Sequence, residues 1–566
     1  MCLFINEFNG DKMYGQGQVP VIILKEGTER SKGRDAQRNN IMAATVVADT
    51  IKSTLGPKGM DKMMVDSLGD ILISNDGATL LDEIDVQHPA AKMIVQVAKA
   101  QDQETGDGTT SSVIIAGELL KKGGELLDKK IHASLIVEGY KAASKKAQEL
   151  IEGHAKKLNP SEDDKLLFQI AETSLHSKSV HSAKENIAQI AVDSVKRIAD
   201  ETNGSFTVDL DNVKILQKIG KNLRESKLIE GVIIDKEVVH TAMPKNVKNA
   251  KVLLLNYNVE VQKGEWDREI RINDPLEMKS FLDNEEQILQ EMVDQIVATG
   301  ANVVVAQKGI DDMAQYFMAK QNIMAIRRVK KSDMEKLARA TGGKVVTNLK
   351  DAKKEDLGDA GLVEEVKLGD EDHVFVRECK NPKAVSIILY GATKYVTDEA
   401  ERAVHDALCV VRNVVEDKTY LPGGGATYTE LSLRLDEYAD VFKDKRQLAV
   451  KAFAEAMLAI PITLAENAGI DPLDILNELR SSHAEENLPA GLNLFKNGKI
   501  EDMFKVGIIE PHRVVAQAIK SASESAIMIM RIDDVIVARS SAPAMPPGGM
   551  PGGMPGGMGG MPPGMM

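Results

Sequence analysis

Aromatic residues make up only 4% of the 566-residue chain, with a single Trp. Its cores must therefore be built from Val, Ile, Leu, Ala and Met, which favours helix-rich packing. Cysteine is equally scarce. Cys2, Cys379 and Cys409 lie far apart, without the paired spacing of a zinc site or the dense, even count of a secreted disulfide framework. A reducing, cytoplasmic setting is expected. No run approaches the ~18 uninterrupted apolar residues of a membrane span, and the opening MCLFINEF lacks the basic start and long apolar stretch of an export signal. A soluble, non-exported protein is expected, with no membrane partner. An excess of positive charge is also missing: 71 Lys and Arg stand against 85 Asp and Glu, a formal net charge of −14. That balance opposes a broad electrostatic grip on nucleic acid.

The apolar share of 43% and charged share of 28% are those of a folded globular chain. The length suits roughly three to four domains. Residues up to about Arg38 show little periodicity outside VIILKEG and read as a loose arm. A helix is predicted from Asn40 to Leu55, stopped by Gly56-Pro57, and a hairpin from Lys62 to Asn75, closed by Asn75-Asp76-Gly77. A second helix from His88 to Glu104 breaks at Gly106-Asp107-Gly108 and restarts at Thr109-Thr110-Ser111 ahead of VIIAGELL. Residues 135–200 read as amphipathic helices, and strand-rich runs such as KVLLLNYNVEV appear over 205–260, so a boundary is set near Gly231. Alternating strands and helices then mark a small α/β domain ending near Lys383. Helical patterns dominate from Val396 to about Arg531. The last 22 residues, Met545 to Met566, contain only Met, Gly and Pro, and cannot pack a core.

Three glycine-rich loops carry the chemistry: LGPKG at Leu55 to Gly59, GDGTTSS at Gly106 to Ser112 and PGGGAT at Pro422 to Thr427. Each alone is compatible with an ordinary turn; together they point to phosphate. In GDGTTSS the glycines let backbone approach a ligand, the hydroxyls donate, and the following helix N-terminus concentrates amides. An acidic residue in such a loop, Asp107, makes sense when a hard divalent cation bridges its carboxylate to the phosphates, so Mg²⁺-nucleotide is the reading. No GxxxxGK[ST] occurs: Gly342-Gly343-Lys344 is followed by Val345, which leaves a P-loop unsupported. Asp76, in the NDG turn, and Asp406, in RAVHDAL, could polarise a water, but spacing alone cannot join them.

As a set, TLGPKGMDKM, NDGATLL, HPAAKMI, GDGTTS, PGGGA, ENAGID, GLN and RIDDVI occur in the order found in group II chaperonins, and the chain resembles an archaeal-type subunit of that family from about Gly33 to Arg539. The resemblance implies a multidomain, helix-rich α/β chaperonin fold with a helical equatorial domain, a mixed intermediate domain and an α/β apical domain with a helical protrusion. The equatorial ATPase domain would comprise 1–160, with an N-terminal arm over about 1–32, and 417–540. The intermediate domain would comprise 161–231 and 384–416. The client-binding apical domain would be 232–383, with a built-in lid over about 259–281, and 541–566 would be a flexible tail.

The implied function is ATP-dependent folding of non-native proteins in a chamber of two stacked rings of identical or homologous subunits. The resemblance implies that Leu55, Gly56 and Pro57 line the nucleotide, that Asp107 holds Mg²⁺, and that Gly108, Thr109, Thr110 and Ser111 hold phosphates. It further implies Gly423 and Gly424 against the nucleotide, Asn493 and Glu510 on the base and ribose side, Asp76 and Asp406 orienting the attacking water, and Lys178 sensing the terminal phosphate. Two features depart from the family: Tyr428 stands where a Glu is usual, with Glu430 following, and the N-terminal extension is long. In the middle domain, Met278, Phe281, Leu282, Ile288, Leu289, Met292, Val293 and Ile296 form an apolar stripe at helical spacing, whose C-terminal half is expected to pack on the adjacent sheet. Trp266, Ile270, Tyr316, Phe317 and Met318 are candidates for client contact. The alternative function is a ring or scaffold subunit that keeps the fold without ATP turnover; a small-molecule kinase is a third.

Overall fold

The computed structural model describes residues 29–65, 68–178, 180, 183–261, 275–380, 382–484 and 489–537. The Met/Gly/Pro tail, most of the N-terminal arm, and Trp266 and Ile270 with most of the expected lid lie outside the described residues, as does the side chain of Met278. The chain divides into two compact units, one holding both ends and the other running from Asn40 to Arg531. In the first, Glu29–Lys32 pairs antiparallel with Asp534–Val537, Arg30 opposite Ile536, and Arg30 forms an ion pair with Asp534.

The larger unit is helix-rich and its path is nested. One apolar core joins residues 44–151 to 421–530. A second joins residues 158–223 to 385–420, with Ile509. A third is made from residues 232–384 alone. The chain thus enters the first core, leaves it for the second, builds the third from one continuous stretch, and returns in reverse order.

The scarcity of aromatics is met by close helix packing. A Cβ on Gly117, in the helix Thr109–Asp128, would sit 2.4 Å from the Cβ of Ala48, so only glycine lets those two helices approach so closely. Tyr140 is a large fully buried exception. It stands edge-on to Phe453 at 5.7 Å and donates to the Leu119 carbonyl at 2.7 Å, which satisfies its hydroxyl. The helices Arg446–Met457 and Ala459–Asn467 are together long and apolar enough to cross a membrane on composition, but 78% of their most apolar 18-residue window is buried in the fold, as a core element is.

The third core lies on a mixed sheet. Asn246–Leu255 pairs parallel with Val303–Ala306 and antiparallel with Gly358–Leu368. The sheet continues through Glu371–Arg377, Lys227–Ile234 and Val385–Gly391 to Val213–Ile219. Val385–Gly391 is buried at every position, as expected for a strand covered on both faces.

The predicted hairpin and the break at Gly106 to Gly108 are found as expected. Two expectations are corrected. The first helix begins at Gly33, not Asn40. Residues 33–38, read as arm because they are polar, belong to its first turns. Phe317 and Met318 are buried at 6% and 0% exposure, leaving Tyr316 as the exposed side chain of the three at 43%; consecutive residues on a helix point in different directions, so one apolar run cannot all face a client. In the helix Pro275–Thr299 the C-terminal half of the stripe packs into the third core, as expected. Leu289, Val293 and Ile296 are buried, whereas Phe281, Leu282 and Ile288 are exposed.

Candidate functional site

A cleft of about 350 Å³, open to solvent, gathers Thr54, Leu55 and Gly56 with Asn75, Asp76, Asp107 to Ser111, Ser177 and Lys178. Its floor is where two helices begin. Asp76 caps the helix Gly77–Glu83, its Oδ2 accepting from the Thr79 amide at 2.8 Å and hydroxyl at 2.7 Å, while Oδ1 accepts from the Thr109 hydroxyl at 3.1 Å. Gly108, at φ +76°, starts the helix Thr109–Asp128. The two N-termini meet closely, for a Cβ on Gly77 would lie 2.7 Å from Thr110 Oγ1.

The loop between the helices Pro89–Thr105 and Thr109–Asp128 is held by its own polar groups. Gln101 Nε2 donates to the carbonyls of Asp107 and Val514 at 2.9 and 3.1 Å. Asp107 Oδ1 accepts from the Gly108 amide at 2.6 Å and Oδ2 from the Ser174 hydroxyl at 2.8 Å. Helix Lys394–Asp417 docks against this loop. Asn413 donates to the Thr105 carbonyl at 2.8 Å, and a Cβ on Gly106, at φ +68°, would lie 2.3 Å from the Cβ of Cys409. Both the left-handed backbone and the contact require glycine there.

That docking delivers Asp406. Lys178 Nζ lies 2.5 Å from Asp406 Oδ2 and 3.9 Å from Asp76 Oδ1, and Lys178 and Asp406 are 5% and 6% exposed. Burial raises the Asp406 carboxyl well above the carboxylate range, a rise that Lys178 opposes and Asp76 and Asp107 reinforce. Burial also works upward on Asp76, but Lys178 and the bonds from Thr79 and Thr109 outweigh it and hold that carboxyl below its ordinary value. Lys178, despite burial, is raised by Asp406, Asp76 and Asp107. The nearby Asp102 is raised by burial and by Asp76. Several carboxylates thus crowd one ammonium, and the Asn75 side-chain oxygen, at 7% exposure, has no hydrogen-bond partner. Hard oxygen donors in excess of positive charge, beside a hydroxyl-rich helix start, fit a divalent cation with phosphate.

The remaining predicted residues lie apart from this cleft's lining. Asp406 stands behind Lys178, and Pro57, Gly423, Gly424, Asn493 and Glu510 do not line it. Gly424, at φ +61°, accepts from the Leu492 amide at 2.9 Å, and Asn493 donates to Glu501 at 2.8 Å. Burial and Asp107 push Glu510 up to about 8, which ties it electrostatically to the loop. Tyr428 is buried, its hydroxyl raised by burial, Glu510 and Asp107. Glu430 is buried in its own subunit, bonded to His483 and Arg434 at 2.8 Å each. Sequence reasoning missed Asn75, Asp102, Ser174 and Ser177. Asn75 and Ser177 adjoin predicted residues in sequence, but nothing linear marks Asp102 or Ser174.

Comparison with known proteins gives the frame. The model of the TCP-1/cpn60 chaperonin family matches residues 47–540. The thermosome subunit of Pyrococcus horikoshii is 56% identical over 519 residues, covering 92% of this chain and 94% of the relative. That of Desulfurococcus sp. is 57% identical over 519 residues, with 92% and 95% covered. The thermosome subunit beta of Archaeoglobus fulgidus is 54% identical over 524 residues, with 93% and 96% covered. With matches of this length and identity, the chain belongs to the TCP-1/cpn60 chaperonin family, as a chaperonin subunit of the archaeal group II type.

Proposed function

We propose that the subunit binds and hydrolyses ATP in the cleft between residues 54 and 178, and that hydrolysis drives the encapsulation of non-native proteins in a chamber of two stacked rings. The observation that carries this reading is Lys178, buried between Asp76 and Asp406 beside the Gly106 to Ser112 loop. In it, Gly108, Thr109, Thr110 and Ser111 bind phosphate through amides and hydroxyls, and Leu55, Gly56 and Pro57 flank the nucleotide. Gly423, Gly424, Asn493 and Glu510 contact its base and ribose side. Asp107 would hold Mg²⁺, which offsets charge on the phosphates. Asp76 and Asp406 orient the attacking water, and an ionised Asp406 takes its proton. Lys178 senses the terminal phosphate and holds Asp406 in position.

The nested cores support equatorial, intermediate and apical domains in the order expected from sequence, with Leu158 and Tyr420 in the second core and Ala384 in the third. Asp406 and Lys178 come from the stretches assigned to the intermediate domain, and Asp76 and Asp107 from the equatorial one. Hydrolysis is therefore gated by docking of one against the other. A scaffold subunit without turnover has no need of a buried ammonium held between two carboxylates beside a phosphate loop, and is disfavoured. The test is incubation of assembled protein with γ-labelled ATP and Mg²⁺. Label released as inorganic phosphate, and lost in Asp107→Ala, is expected. Label on an acceptor, or no adenine nucleotide bound under saturating Mg²⁺, overturns the assignment.

A further inference from the structure

Away from the cleft, three potential metal ligands meet on the mixed sheet. Glu371–Arg377 pairs antiparallel with Lys227–Ile234, Val374 opposite Ile234, so the next step of the ladder brings His373 beside Asp235. Glu371 lies two residues before His373 and therefore on the same face of the strand. One ligand atom from each of Asp235, Glu371 and His373 lies within 4.8 Å of the other two.

His373 is the informative member. It is completely buried, and its Nδ1 is 3.2 Å from the Glu371 carbonyl. A carbonyl only accepts, so Nδ1 carries the proton in this contact, and in the neutral ring the Nε2 lone pair is left beside the carboxylates. Nε2 lies 3.0 Å from Asp235 Oδ1 but out of alignment for a hydrogen bond, and it has no hydrogen-bond partner. A buried, unpartnered lone pair this close to a carboxylate is unfavourable unless a proton or a metal cation is held between them, and the misalignment with Asp235 disfavours the proton. An imidazole that donates its other nitrogen to a backbone carbonyl is also the arrangement that fixes a metal-binding histidine. The ammonium of Lys218 binds Glu371 at 2.6 Å and does not serve His373.

We propose that His373, Asp235 and Glu371 form a binding site for a divalent transition-metal cation of the zinc class. One imidazole nitrogen with two carboxylates suits such an ion better than Mg²⁺ or Ca²⁺, which favour all-oxygen shells. Tetrahedral coordination at about 2.0–2.1 Å needs ligand atoms about 3.3 Å apart. The required closure falls to the exposed side chains of Asp235 and Glu371, 54% and 71% accessible, while buried His373 stays fixed. Water completes the shell, and the cation displaces Lys218 from Glu371. The site shares no residue with the proposed nucleotide cleft.

The test uses assembled full-length protein stripped with chelator, without nucleotide, titrated with Zn²⁺ by calorimetry and with Co²⁺ by visible absorption. One Zn²⁺ per chain is expected, with affinity at least about ten-fold weaker in Asp235→Asn and in Glu371→Gln, and that site lost in the double variant. Both changes fall on exposed side chains, so folding is preserved even if His373→Gln does not fold. Lys218→Met removes the competing ammonium and should tighten binding, whereas Asp107→Asn should leave the stoichiometry unchanged. Absence of saturable Zn²⁺ binding, or a double variant that binds as the parent does, would overturn the proposal.

Discussion

Replacing Asp406 by Asn separates the role of its charge from its role as a structural partner of Lys178. Removing one member of a buried ion pair costs about 3–5 kcal/mol when the other charge is left uncompensated. Here two features reduce the loss. Asp76 remains 3.9 Å from the ammonium, and the amide oxygen of Asn can still accept from Nζ. Burial also raises the Asp406 carboxyl, so the native fold already works against its ionisation, and the neutral amide escapes that penalty. A destabilisation of about 2 kcal/mol, or less, is expected, read as a shift of the denaturant midpoint. Catalysis should suffer far more, because an amide cannot take a proton from water, and loss of a general base costs about 10²–10⁴-fold in rate. ATP affinity should barely change, since Asp406 does not line the cleft. In the parent, turnover must rise with pH as Asp406 ionises. Because its folded value is raised, that ascending limb lies above the ordinary carboxylate range, and it must vanish in Asp406→Asn. Calorimetric ATP binding together with phosphate release across pH checks this. Undiminished turnover, or a limb that survives in the variant, would refute the reasoning.

Glu510→Gln should stabilise the subunit above mildly acidic pH. The folded value of about 8 lies above the ordinary 4.5, so Glu510 favours the fold below pH 4.5 and loses that contribution as pH rises to 8. The variant's advantage should therefore grow by at most about 1.4 kcal/mol per pH unit across that window and then level off; equal midpoints at pH 5 and pH 8.5 would contradict this. Gly424→Ala should cost about 1–3 kcal/mol, because φ is +61° and the new Cβ would lie 2.8 Å from the Leu492 carbonyl oxygen. A denaturation midpoint equal to the parent's would count against that geometry. Cys379 and Cys409 should resist alkylation at pH 8 until the protein is unfolded, since burial pushes their thiols up to about 11 and about 12 and thiolate is the reactive form. Peptide mapping after iodoacetamide treatment would reveal either one labelled in the native state.

Where local chemistry dictates structure, the sequence was readable. Gly106-Asp107-Gly108 had to break a helix, because its glycines take left-handed backbone and hydroxyls start the next helix. NDG had to turn, because Asp76 caps the helix behind it. Strands Gly358–Leu368 and Glu371–Arg377 escaped notice for the opposite reason. The first carries Gly, Asp, Glu or Lys at six of its eleven positions, and pairing on both edges overrides its weak local preference. The candidate site divides in the same way. Each loop could be found alone, but Asp76, Lys178 and Asp406 are far apart in sequence, and only the resemblance to a family brought them together beforehand. What brings them together physically is the nested path, which returns the helix Lys394–Asp417 to the loop it left some three hundred residues earlier, as the Asn413 to Thr105 bond records. The resulting charge balance was not foreseeable from composition. A chain of net charge −14 could have spread its carboxylates over the solvated surface. Instead it buries Asp76 and Asp406 around one lysine, with Asp102 and Asp107 close by; burial works upward on both, but at Asp76 Lys178 and the bonds from Thr79 and Thr109 prevail, so the two values move in opposite directions. Such a divergence between neighbouring carboxyls separates a group that stays ionised from one that can exchange a proton, and no count of residues along the chain carries that information.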